Sequence, residues 1–171
     1  EDKLLAVQKR LGNSKGAKWA SIVKLGRAKD TYNDFVEIKI PSNPEKQKKA
    51  VDDKVGMLNK LNKELNDVVK LNHHESIISS LNLLGEANEH MANSILKSPI
   101  PKGLDAATEK QYREQLPKLA DPFKVRAIDS HKLALQRAWE FETYNDGYMK
   151  SLKYMNSVDP TKFYYSDEVK M

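Results

Sequence analysis

Ser76-Ile-Ile-Ser-Ser-Leu-Asn-Leu-Leu-Gly-Glu-Ala87 is echoed upstream by Trp19-Ala-Ser-Ile-Val-Lys-Leu-Gly-Arg-Ala28, and both stretches end in Leu-Gly-x-Ala. Gly26 and Gly85 lie 59 residues apart. Apolar residues recur at spacings of three and four in both, which is the period of an amphipathic helix. The sequence therefore predicts a helical hairpin present twice. A chance likeness between two amphipathic helices is the plainer alternative.

Reading outward, each copy continues into a proline-broken loop and a second helix. Around the first copy, apolar positions Trp19, Ile22, Val23, Leu25, Tyr32, Phe35, Val36 and Ile38 predict a helix from about Ala17 to Ile40. A glycine inside such a helix costs about 1 kcal/mol against alanine. Close approach of another helix backbone at Gly26 and Ala28 would explain it. Pro41-Ser-Asn-Pro44 ends this helix. The next segment, Glu45 to Leu71, carries Val51, Val55, Leu58, Leu61 or Asn62, Leu65, Val68 and Leu71 on one stripe.

The second copy runs as a helix from Ser76 to Lys97, after the polar joint Asn72-His-His-Glu75, and Ser98-Pro-Ile-Pro-Lys-Gly-Leu-Asp105 breaks it. Asp105 suits an N-cap. A helix from Ala106 would turn Tyr112, Leu116 and Leu119 inward, with Pro117 kinking or interrupting it and Pro122 restarting it. A stripe of Phe123, Ile128, Ala134 or Leu135, Ala138 and Phe141 follows. Ala50, Val55 and Leu58 match Ala120, Val125 and Ile128 at an offset of 70, so an 11-residue insertion is assigned to the Pro99-to-Leu116 connection. Asp146 to Asn156 predicts a last helix, and Asp159-Pro160 opens a tail containing Phe163-Tyr164-Tyr165, aromatic enough to dock on the final hairpin or a partner.

At the other end, Leu4, Leu5, Gln8 and Leu11 predict a partial unit over residues 1–12, stopped by Gly12-Asn13. The expected division is a helical-repeat domain over 1–157, with repeats at 17–72 and 75–142 and a last helix at 146–156, followed by the tail 158–171. Almost no strand is expected.

The composition fits narrow apolar stripes rather than thick layers: 39% of the 171 residues are hydrophobic and 31% are charged. The net charge of +5 is uneven, with 16 Lys and Arg against 10 Asp and Glu in residues 1–72. The cations are interleaved with acids, unlike the one-faced basic patch of a nucleic-acid binder. With no cysteine there is neither a disulfide nor a thiolate metal site. No apolar run reaches membrane-spanning length. A start at Glu1 rather than Met fits a fragment or a mature chain whose leader was removed.

Groups able to do chemistry are sparse. Glu86 and His90 share a helical face, but the spacing is not the Glu-x-x-His of dimetal helical sites. His73-His74-Glu75 sits at a joint, where capping or solvent contact is the ordinary role. His131 and Asp129 point to different sides of a helix, and no Gly-rich phosphate loop or nucleophile elbow occurs. Glu45-Lys-Gln-Lys-Lys49 is read as a solvated first turn, since cations there oppose the helix dipole. The chain is read as no enzyme, with no cofactor and no metal site.

Taken with the Leu-Gly-x-Ala helix, the Pro-Ile-Pro-Lys-Gly-Leu loop and the elements Tyr112-Arg-Glu-Gln-Leu, Leu119-Ala-Asp-Pro and Ala127-Ile-x-x-His-x-x-Ala134 sharpen the pattern. The chain resembles tetratricopeptide-like repeat proteins of bacterial cell envelopes, including large delta-proteobacterial ones linked with gliding motility. The likeness covers residues 76–152 best. Lys29 and Asn88 stand where such repeats carry an aromatic after the Leu-Gly pair. The resemblance implies an all-α fold of antiparallel hairpins stacked as a right-handed solenoid. It also implies a protein-binding scaffold in the periplasm or at the outer membrane. By position it places a concave, partner-facing surface on Ala20, Val23, Arg27, Asp30 and Thr31 in one unit, and on Ser79, Asn82, Glu86, Glu89 and His90 in the next. Its partner would be a peptide or helix held in a groove. A basic module for nucleic acid or anionic lipid and a self-assembling homo-oligomeric bundle are the other readings.

Overall fold

The computed structural model describes residues 13–164, and among them every regular element is a helix. They are α1 (Asn13–Glu37), α2 (Pro44–Val69), α3 (His74–Leu96), α4 (Ala106–Glu140) and α5 (Asp146–Val158). The partial unit expected over 1–12 and the aromatic Tyr165 lie outside the described residues.

Consecutive helices pack on one another, α1 also touches α3, and α3 also touches α5. The central helix α3 thus meets all four others, and its seam with α4 is the most extensive. The residues that α4 buries explain that seam: Ala120, Ala127, Ala134 and Ala138 let the two helices approach closely. The core continues across α1 and α2 through Leu25, Phe35, Leu58, Leu61 and Leu65, joined by Leu83, Met91 and Ile95 of α3.

Local chemistry sets the boundaries. Asn43 caps α2 by accepting from the Lys46 amide at 3.0 Å, and Pro44 takes a first-turn place where no amide donor is needed. Asp105 caps α4 through the Thr108 amide at 2.7 Å, and Asn145 caps α5 through the Tyr148 amide at 3.1 Å. Gly103 turns with φ of +89°, a region that glycine enters freely. The two hairpin loops are tied together, the Lys102 amide donating to the Ser42 carbonyl at 3.1 Å.

Several expectations are corrected. Asn13, expected in a helix stop, is the first helical residue of α1. α4 runs unbroken for 35 residues through Pro117 and Pro122. Both prolines are exposed, as are Arg113 and Lys118, whose carbonyls lose their amide donors and can turn to water. Packing on α3 therefore holds the helix across them. α4 starts at Ala106, where the sequence places it, and outruns the 26-residue α2.

The buried face of α1 is also rotated from the expected stripe. Ala20, Ser21, Leu25, Ala28, Thr31 and Phe35 are buried, while Trp19 is 58% exposed. Gly26 is exposed, and a Cβ there would meet nothing within 4 Å, so no helix backbone approaches it. The close approaches lie elsewhere. At Gly85 a Cβ would fall 2.5 Å from the His131 ring, and at Gly147 one would fall 3.0 Å from the Ser79 Cα. The tail folds back at its start, where the Asn156 side chain donates to the Phe163 carbonyl at 2.6 Å. Phe163 is half-buried and Tyr164 is exposed.

Candidate functional site

α2 and α4 both lie against α3, and their backbones do not come within 8 Å of each other, Cα to Cα. Between them runs a groove whose floor is α3. One stretch, about 380 Å³, is mainly apolar: Val51 and Val55 of α2, Met91 and Ile95 of α3, and Tyr112, Leu116, Leu119 and Phe123 of α4. The adjoining stretch, about 510 Å³, shares Val55 and Phe123 but is polar, with Asn59, Asn62, Asn88, Arg126, Asp129 and Ser130. Leu119, expected to point inward, is 58% exposed and forms part of the apolar wall. Among the described residues no helix packs against that side of α4, so an apolar residue there stays exposed.

The opposite side, where α1 and α5 each pack on α3, holds the residues that the resemblance places on a concave surface. Ala20, Thr31 and Asn82 are buried, Val23, Ser79, Glu86, Glu89 and His90 are half-buried, and Arg27 and Asp30 are exposed. The structure uses several of them to join helices. Ser79 Oγ accepts from Asn145 of α5 at 3.2 Å. Asn82 accepts from Ser151 of α5 at 3.1 Å and donates to Glu86 at 3.0 Å, and Glu86 pairs with Lys150 of α5 at 3.4 Å. Burial, reinforced by the nearby Glu86, pushes the Glu89 carboxyl above its ordinary range. The same two carboxylates add to burial in raising Tyr32 of α1, and Glu89 does so for Tyr154 of α5.

His90 is engaged from behind by Lys54, a residue the sequence reading passed over. Lys54 is fully buried on the α2 stripe, where Leu58, Leu61, Leu65 and Val68 follow it. Its ammonium donates to the Phe35 carbonyl at 2.7 Å and the Ile38 carbonyl at 3.0 Å, and lies 3.1 Å from His90 Nε2. It also sits 4.3 Å from the centre of the Phe35 ring. The charge thus closes the carbonyl end of α1, where a helix dipole favours a cation. Burial lowers Lys54 to about 8, and burial with the neighbouring ammonium lowers His90. Since Nε2 of His90 receives the ammonium proton, its Nδ1 carries the ring hydrogen.

At the joint, His73 bonds the Ser76 hydroxyl at 2.9 Å rather than capping α3 with its side chain, and His74 stacks on Phe141 at 4.0 Å. Ser76 in turn donates to Ser21 of α1 at 3.1 Å. Among the described residues no three His, Asp or Glu side chains converge as a metal site, and no helix is long and apolar enough to cross a membrane.

What these features define is an all-α protein of packed helices with an open interhelical groove. No family model matches the chain, and no curated protein or solved structure is significantly similar to it.

Proposed function

We propose that this chain is a non-catalytic protein-binding scaffold of the tetratricopeptide-like kind, and that the groove between α2 and α4 receives an amphipathic helix of a partner protein. The carrying observation is the groove itself, with Leu119 in water beside Tyr112, Phe123 and Met91. Support for stacked hairpins comes from the packing order: each helix meets the next, and α1 and α5 both pack on α3. Apart from the two α4 carbonyls freed by the prolines, the backbone bonds of the three lining helices are closed within those helices, so the apolar stretch presents no sheet edge to an extended strand. A helix brings its own backbone bonds and buries only its side chains. From Pro44 to Asn62 the α2 wall is about 27 Å long, the length of some 18 helical residues. The polar stretch with Arg126 and Asp129 gives such a partner a direction, because its apolar stripe has to lie at the Tyr112 end. The periplasmic or outer-membrane setting belongs to this reading through the family resemblance alone.

The test is selection from a displayed library of 20-residue amphipathic helices, followed by mapping of the amide shifts they cause. Selected helices should perturb Val51, Met91 and Tyr112. Leu119→Glu should weaken them by at least about tenfold without unfolding the chain, as expected for loss of a central apolar anchor. Selected helices that bind the variant equally well would overturn the groove assignment. Concentration-dependent dimerisation abolished by Leu119→Glu would instead make the occupant a second copy of the chain.

A further inference from the structure

The His131 ring, 1% exposed, lies where α3, α4 and α5 meet. Its Nδ1 is 3.1 Å from Ser151 Oγ of α5. Ser151 has a single hydrogen, which it donates to Asn82 Oδ1, while the Asn82 amide nitrogen donates to Glu86. Ser151 can therefore only accept from His131, so Nδ1 carries the ring hydrogen. Nε2 is left bare, buried and without a partner. It faces the α carbon of Gly85, and Tyr154 of α5 covers the ring with centroids 4.2 Å apart. A second proton has to enter at Nε2, where nothing in the structure accepts a hydrogen bond.

α5 is the element that can yield. It has 13 residues, too few to be stable as an isolated helix, and among the described helices it packs on α3 and α4. We propose that His131 is an acid-sensitive latch: a proton on its Nε2 leaves a charged N–H buried without an acceptor between α3, α4 and α5, and relief of that burial releases α5 and parts Ser151 from His131 and Asn82, while α1 to α4 stay folded. Release uncovers Asn82 and Ser79 and frees Glu86 from Lys150, so the α1–α3 surface changes composition with pH.

The surrounding groups set the direction. From α3, Glu86 attracts a proton to the ring, and from α5, Lys150 offsets Glu86 through their ion pair. Tyr154 of α5, raised by burial and by Glu89 of α3, is neutral in acid. Burial outweighs Glu86 and lowers His131 to about 4 from 6.5. With the docked value below the free one, the docked state binds fewer protons between these limits. Docking is thus strongest above about pH 6.5 and weakens as pH falls toward 4.

Amide protection followed by NMR between pH 7.5 and 4.5, corrected for intrinsic exchange rates, tests the latch. Over this span the release equilibrium of residues 146–158 should shift by roughly 70-fold, with amides of α2 keeping their protection. His131→Gln, which cannot titrate, should abolish the shift. Joint loss of protection in α5 and α2, or an unchanged shift in His131→Gln, would sink the proposal. Should that variant fail to fold, Glu86→Gln decides: it keeps an acceptor for Asn82 but not the negative charge. It lowers the docked value of His131 further and removes the pair with Lys150, so it should move release to higher pH, and an unmoved midpoint would overturn the latch.

Discussion

Gly85→Ala should destabilise the fold by roughly 2 kcal/mol, whereas Gly26→Ala should stabilise it by up to about 1 kcal/mol. Both sites are helix interiors that occupy the same place in the Leu-Gly-x-Ala echo, so both gain the same propensity on acquiring a methyl group. Only tertiary surroundings distinguish them. At Gly26 the methyl meets nothing within 4 Å. At Gly85 it would lie 2.5–2.7 Å from three atoms of the His131 ring. That ring cannot swing aside without breaking its bond to Ser151 and its stack with Tyr154. Urea unfolding midpoints at constant slope measure the two effects, and shifts of the same sign would contradict the packing described.

Lys54→Ala should cost roughly 3 kcal/mol, and Lys54→Met should recover more than half of that loss. Alanine leaves a cavity beside Phe35 and strands the Phe35 and Ile38 carbonyls, which now receive the ammonium. Methionine strands the same carbonyls but restores most of the volume and removes a buried charge. Equal losses in the two variants would show that the carbonyl bonds dominate. A pH signature accompanies the charge. Because burial lowers Lys54 to about 8 from 10.5, the folded state binds fewer protons between those values, and wild-type stability should rise with pH across them. Lys54→Met should lack that rise.

Period and punctuation carried much of the fold. Asn43-Pro44, Asp105 and Asn145 are local capping chemistry, and each begins the helix that its residue type predicts. The α2 stripe of Leu58, Leu61, Leu65 and Val68 reads directly from its spacing, because one partnered face of a helix repeats every three to four residues. For α1 the same reading chose Trp19, whose size suggested the core, while the buried positions are mostly small: Ala20, Ser21 and Ala28. Periodicity cannot separate two neighbouring stripes when the large residues lie on the exposed one.

The interior polar groups were illegible for a different reason. Lys54 and His131 look like surface residues of amphipathic helices, and what makes them interior is the arrival of α1 and α5 from distant sequence. One signal for His131 was present, in its spacing of four from Ala127 and three from Ala134 on a stripe that from Ala120 onward is otherwise alanine. The groove had no signal, since Tyr112, Leu119 and Phe123 read as core whether or not a neighbouring helix covers them.

Sequence alone thus determined that the chain is helical, where most of its helices begin and end, and that two hairpins share a Leu-Gly-x-Ala element. Those properties depend on contacts within a few residues. Tertiary structure alone decided that Gly85 but not Gly26 is a packing glycine, that α4 passes its prolines unbroken, and that α2 and α4 stand apart over α3. These depend on which helix faces lie within van der Waals reach, and local spacing does not encode the distance between helices.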